Sequence, residues 1–314
     1  MTSTGVAEIG LARERILQAF ASRSIPIDPK SELWFVLDEM DHFCKGTRDL
    51  KGTDSQSATD DRAVEVGRDL LRGLRIDNAL DSLTGAKVPH LSETLRTLSS
   101  FTHGNTQHRF QFDQSEYELH MAAQFQGHGQ RISFVDTRRP SRYRQRVEFM
   151  VGYKYPVECK HPQAERRIVP NIDAALQKLE ERQMPGILCI GLENALPLSP
   201  PAPYLEVLSV QDAQYFISQH FAQWLSTNRK RVEGRLEQSC GRFIIFTYSV
   251  LAYVHSAEAV YIVSMRLAMA HSGEWIESEV VKTCINRLKS ERSRRLSVAT
   301  NSVTKRRPDD VPKM

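Results

Sequence analysis

The chain lacks most of the features that assign a protein to a class at sight. Nowhere in its 314 residues does a run approach the ~18 uninterrupted apolar residues of a membrane-spanning helix. A helical membrane protein is therefore not the expectation. The opening MTSTGVAEIGLARERI has no basic segment followed by an apolar one, as a secretory leader would. The cysteines, Cys44, Cys159, Cys189, Cys240 and Cys284, are odd in number, widely spaced and free of any C-x-x-C pair. That pattern speaks against a zinc site or a disulfide framework, and for buried thiols in a reducing, cytoplasmic compartment. Net charge is also scarce. A formal +4 does not by itself announce a partner for polyanions, so any such claim depends on where the charges sit. No P-loop, G-x-S-x-G elbow or H-E-x-x-H pair occurs, and His103, His108, His120 and His128 show no metal-ligand spacing. The hydrolase and nucleotidase classes built on those motifs lose their usual basis.

What is present is an ordinary apolar content of 40%, enough for a sizeable core, and a change of pattern near residue 105. Residues 6 to 100 carry apolar side chains at three- and four-residue spacing, as in IGLARERILQAF, ELWFVLDEMDHF and AVEVGRDLLRGLRIDNALDSL. This spacing predicts helices, with the polar GTDSQSATDD as a loop between the second and third. The helical region, residues 1–104, holds no catalytic motif and is expected to pack against or cap the rest of the chain. Beyond it, SEYELHMAAQFQGHG reads as a helix closed by glycine. RISFVDT reads as a strand, RRPSRYRQR as a basic loop, and RVEFMV and YPVECK as two short alternating strands. NIDAALQKLEERQ reads as a helix and GILCIGL as a fully apolar strand. LEVLSVQDAQYFISQHFAQWLSTNRKRVEGRLEQS is mostly helix, and RFIIFTYSVLAYV and AVYIVSMRLAMA read as a closing strand pair. The expected fold is α/β, a mixed central sheet flanked by helices, spanning residues 105–286. Residues 287–314 are basic and serine-rich and are expected to be disordered.

The chemistry gathers around Gly152. If residues 152 to 154 form a three-residue hairpin loop, Val151 faces Tyr155. Counting outwards, Glu148 then lies across from Glu158, and Lys160 shares its face because side chains alternate along a strand. Val147, Phe149, Val157 and Cys159 point the other way, into the core. A slip of one residue would undo both arrangements. Two carboxylates opposed across a strand pair repel each other. A hard divalent cation such as Mg²⁺ relieves that repulsion, and the carbonyl oxygen of Cys159 is a candidate to complete its shell. Lys160 beside it is placed to orient an attacking water and to stabilise negative charge developing on a phosphate.

At this point the sequence resembles the PD-(D/E)XK nuclease superfamily, the restriction-endonuclease-like enzymes. A helix bearing a glutamate, a strand, a strand bearing an acid, and then E-x-K is that family's order. YELHMAAQFQGHGQRISFV is similar to its first helix and strand, with Glu118 as the helix glutamate. RVEFMV puts Glu148 at the acid position, and VECK supplies Glu158 and Lys160. NIDAALQKLEERQMPGILCIGL resembles the next helix and strand, with Gln177 where many members carry a glutamine near the site. The resemblance covers about residues 112 to 195, roughly a quarter of the chain. It implies Mg²⁺-dependent cleavage of a phosphodiester, usually in DNA; Glu118, Glu148 and Glu158 are then expected to hold Mg²⁺ or Mn²⁺, with the Cys159 carbonyl as the added candidate ligand. One departure stands out. The family's second-strand acid is usually an aspartate in a P-D pair, whereas Glu148 follows Val147 and is one methylene longer. That departure sustains an alternative: a nuclease-fold module, weakened in catalysis, that binds or regulates.

Other residues compete for these roles. Glu116 rivals Glu118, though Leu119, Ala122 and Ala123 fit the pattern better from Glu118. Asp136 is the alternative metal ligand, and His161 suits a hydrogen-bonding residue at the rim. The run RRPSRYRQR holds Arg138, Arg139, Arg142, Arg144 and Arg146, with Tyr143 among them. Its arginines are candidates for phosphate contacts and Tyr143 for stacking on a base. The expected partner is nucleic acid, DNA ahead of RNA, and not a membrane. A partner protein on the helical N-terminal region and a homo-oligomer stay open.

Overall fold

The computed structural model describes residues 3–4, 6–45, 56–134, 148–152, 155–181, 185–196, 205–257, 259–270 and 275–276. The arginine run, Asp136 and the tail from residue 287 lie outside the described residues.

Helices dominate the first third, as the apolar spacing predicts: α1 (Val6–Ala21), α2 (Glu32–Cys44), α3 (Gln56–Thr84) and α4 (Leu91–Leu98). A two-residue strand, β1 (Ser3–Thr4), precedes them. Ser31 starts α2 by accepting a hydrogen bond from the backbone N–H of Trp34 at 3.1 Å. The expected loop GTDSQSATDD is partly a helix, because α3 already begins at Gln56. Polar composition does not end a helix when later turns bury an apolar face to anchor it.

Next come α5 (Thr106–Gly127), β2 (Ile132–Phe134), β3 (Phe149–Val151), β4 (Tyr155–Lys160), α6 (Glu165–Glu180) and β5 (Gly186–Gly191). After them stand β6 (Leu205–Val207), α7 (Val210–Glu237), β7 (Gly241–Val254), β8 (Ala259–Ala270) and β9 (Trp275–Ile276). Like α3, two further helices start earlier than their sequence signals suggest. Asn105 caps α5 by accepting from the N–H groups of Gln107 and His108 at 3.0 and 3.1 Å, so the helix begins well before Ser115. At its other end Gly129 takes φ +75°, the left-handed conformation that closes the helix. In α6, Pro170 stands inside the helix and not ahead of it. It has no N–H to offer, so the bond from position 170 back to the Arg166 carbonyl is missing, a loss the helix carries because Ile168, Val169 and Ile172 around it are buried.

The strands form one mixed sheet in the order β1-β8-β7-β5-β4-β3-β2, with β6 on β7 and β9 on β8. β2, β3 and β4 make an antiparallel meander, and α6 then carries the chain over so that β5 runs parallel to β4. β5 also runs parallel to β7, which pairs antiparallel with β8 along its length. Every residue of β5 is buried, as befits a central strand covered on both faces. On one face Val157, Cys159, Ile187 and Cys189 pack under the N-terminal helices and α5. On the other, Leu188, Ile190, Ile244 and Phe246 pack under α6 and α7. The architecture is therefore α/β, with a helical N-terminal region sharing the first of these cores.

Candidate active site

The hairpin fixes the site. Val151 pairs with Tyr155 and Phe149 with Val157, and the Glu148 N–H donates to the Val157 carbonyl at 3.3 Å. Phe149, Val157 and Cys159 are fully buried on the core side. Period-two alternation then sends Glu148, Glu158 and Lys160 to the opposite side together. Lys160 Nζ donates to Glu148 Oε1 at 3.3 Å, to Glu158 Oε2 at 3.4 Å and to the Cys159 carbonyl at 2.9 Å.

Glu118 comes from α5 and joins this group through Gln114, a side chain that no sequence motif singles out. Gln114 Nε2 donates both to Glu118 Oε1 and to the Cys159 carbonyl, each at 2.8 Å. Gln114 Oε1 accepts from the His161 N–H at 3.1 Å, which fixes the amide's orientation. One glutamine thus ties the helix glutamate to the end of β4. The i, i+4 spacing of Gln114 and Glu118 is the one signal of it in the sequence. Glu116 instead points away from the cluster, 3.0 Å from the Arg75 guanidinium.

Gln177 is not brought in. Its side chain is exposed on α6, and among the described residues it has no hydrogen bond to the cluster. The next residue takes the place expected of it: Lys178 Nζ donates to Glu158 Oε2 at 3.3 Å. Helix geometry explains the switch. Ile172, Ala175, Leu176 and Leu179 define the buried stripe, which leaves position 177 facing away and position 178 at the stripe's edge.

Burial sets the electrostatics. It pushes the Glu118 carboxyl up to about 7, against the Gln114 hydrogen bond and the nearby Lys160. Burial also holds Glu148 well above the usual carboxylate range, with Lys160 opposing. For Lys160 burial acts downward, but Glu148 and Glu158 overcome it and keep its pKa above the ordinary lysine value. Glu148 Oε2 is buried and has no hydrogen-bond partner among the described residues.

Behind the cluster lies a buried layer of charge. Arg72 bridges Asp69 at 2.5 Å and contacts Asp113, joining α3 to α5. Arg75 donates to Glu193 at 2.8 Å, and its guanidinium lies 5.6 Å from the Tyr117 ring centre. His161 stacks on Tyr117 with centroids 5.2 Å apart, and its Nε2 is 3.4 Å from Glu193 Oε2. His161 is thus a buried link in this layer and not a residue at the rim.

Among the described residues no three His, Cys, Asp or Glu side chains are gathered closely enough to hold a metal ion as they stand. Lys160's ammonium sits amid the oxygens instead. In chemistry the donors still suit a hard cation: three carboxylates and a carbonyl, with Glu148 Oε2 buried and unpartnered among the described residues and two carboxyls raised by burial. No family model, no curated protein and no solved structure matches the chain.

Proposed function

We propose that the protein is a metal-dependent nuclease that hydrolyses phosphodiester bonds of nucleic acid, DNA ahead of RNA. The observation that carries this reading is the buried Lys160 ammonium in contact with Glu148, Glu158 and the Cys159 carbonyl, with Glu118 bound to that carbonyl through Gln114. The succession α5-β2-β3-β4-α6-β5 supports it, because it matches the helix, strand and E-x-K order of the restriction-endonuclease-like resemblance. Glu118, Glu148, Glu158 and the Cys159 carbonyl would hold Mg²⁺ or Mn²⁺. When bound, such an ion supplies Lewis-acid activation of the phosphate and of the attacking water.

The chain's own residues do the rest. Lys160 keeps its proton through the neutral range, since Glu148 and Glu158 hold its pKa above the ordinary value. It therefore serves as a fixed cation for charge developing on the phosphate, and not as a general base. In this reading Arg138, Arg139, Arg142, Arg144 and Arg146 bind phosphates and Tyr143 stacks on a base. A second reading, a binding or regulatory module on the same scaffold, draws on Glu148 standing where an aspartate is usual and on carboxylates not yet closed around a cation.

Cleavage of single- and double-stranded DNA and RNA, with and without Mg²⁺, separates the two. Glu158→Ala and Lys160→Ala are expected to lose about 10²-fold or more in single-turnover rate, beyond what the fraction unfolded by breaking this buried charge cluster accounts for. Lys160→Arg should rescue poorly, because a planar guanidinium does not replace a compact ammonium. Cleavage by Lys160→Ala at the unmodified rate would remove Lys160 from the mechanism. Binding without cleavage in every condition would favour the second reading.

A further inference from the structure

An ammonium has three N–H donors. Lys160 directs all three at its own protein, to Glu148, Glu158 and the Cys159 carbonyl, and its side chain is only 14% exposed. It has no donor left for a direct hydrogen bond to a substrate, so it acts on a phosphate only as a fixed charge behind the carboxylates. Lys178 reaches the same oxygen, Glu158 Oε2, from α6 at 3.3 Å. Among the described residues that is the one hydrogen-bond partner of its Nζ, and its side chain is 39% exposed. Two of its donors therefore remain, on the solvent side of a carboxylate that is itself fully buried.

We infer that Lys178 is the residue that grips the substrate's phosphate at this site, while Lys160 holds the carboxylates in place. This rests on the nuclease reading and names a contact that the E-x-K pattern does not. The two lysines divide the work that sequence reasoning gives to one: a saturated inner cation and an unsaturated outer one, both on a single carboxylate oxygen. A humbler role competes. Lys178 lies in the last turn of α6, where a cation complements the helix dipole. A residue with only that duty has no cause to reach a fully buried glutamate, and its loss would alter stability but not the salt dependence of binding.

The test compares the unmodified protein with Lys178→Met, which keeps the apolar stem, and with Lys178→Arg. Each is titrated with short DNA and RNA oligonucleotides over a range of salt, beside single-turnover cleavage in Mg²⁺ and thermal melting. Lys178→Met is expected to weaken binding to every sequence alike and to flatten the log–log salt dependence by about one unit. Lys178→Arg should restore most of that binding, because phosphate accepts either cation, whereas Lys160→Arg does not restore cleavage. An unmodified protein that binds nucleic acid, with a Lys178→Met variant of unchanged salt slope, would overturn the role of Lys178 alone. So would Lys178→Arg binding no better than Lys178→Met. An unmodified protein that neither binds nor cuts any of the probes overturns the nuclease reading, and this inference with it.

Discussion

Gln114 shows how much one side chain can fix. Its amide gives two hydrogen bonds and takes one, and these connect α5, the Cys159 carbonyl near the end of β4 and the backbone N–H of His161 beyond it. Replacement by leucine keeps the volume but leaves Glu118, the Cys159 carbonyl and the His161 N–H each short of a partner. Gln114→Leu is expected to cost about 1–3 kcal/mol by denaturant unfolding, and to lower Mn²⁺ affinity because Glu118 is no longer held against the site. Equal Mn²⁺ affinity in calorimetry would mean that Gln114 serves only the fold. The residues legible from apolar alternation are those on strands, whereas Glu118, on α5, is reached only through the family resemblance. Glu148, Glu158 and Lys160 emerge from the alternation of apolar side chains around Gly152, which allows one register. Gln114 and Lys178 are not legible because each stands on a helix, where a polar residue at the edge of the buried stripe looks like any solvated one.

At the scale of elements, strands are easier to read than helix starts. The hairpin pairing, the apolar β5 and the closing pair β7–β8 all come from short runs whose two faces are unambiguous. The starts of α3, α5 and α6 do not, since a cap, a proline and a polar first turn each admit more than one boundary. β5 ends at a crowded place. A Cβ on Gly191 would meet His161 Cδ2 at 2.7 Å and Tyr117 Cε2 at 2.9 Å, both rings being buried and stacked. Gly191→Ala must push His161, the neighbour of Lys160 in the chain. The expected loss is about 1–3 kcal/mol, with a fall in cleavage larger than the unfolded fraction accounts for. A variant as stable as the unmodified protein in urea would show that these rings yield easily.

For the whole molecule, the telling quantity is buried charge. Burial pushes the Glu116 carboxyl up to about 7 despite Arg75, just as it does Glu118, and it raises Glu148 as well. A carboxyl raised in the fold contributes stability that is complete below its unfolded pKa, near 4.5, and is lost as pH climbs through the folded value. Glu193 acts in the opposite sense. Burial would raise it, but Arg75 and His161 hold it at about 2, so its share is present above about 4.5 and lost as pH falls towards 2. Without metal, the melting temperature is therefore expected to decline between about pH 5 and pH 8. Mg²⁺ or Mn²⁺ should raise it more at about pH 8 than at about pH 5, because a cation binds the ionised carboxylates. An equal effect of Mg²⁺ at both values would detach the metal from this cluster. Nothing in the linear sequence marks this layer: Arg72 and Arg75 look like the solvated side of α3, and only the packing of α3 on α5 turns them inward.

The strand order has a consequence for how the chain is made. Every side chain of the candidate site lies between Gln114 and Lys178, yet β5, which supports β4, is itself lined on its far edge by β7. A ribosome that has released residue 191 has supplied every side chain of the candidate site but not its shelter. The backbone edge of an all-apolar strand stays open until about fifty further residues, up to the start of β7, have emerged. Completion of the candidate site in translation is thus governed by a segment that contributes none of its side chains.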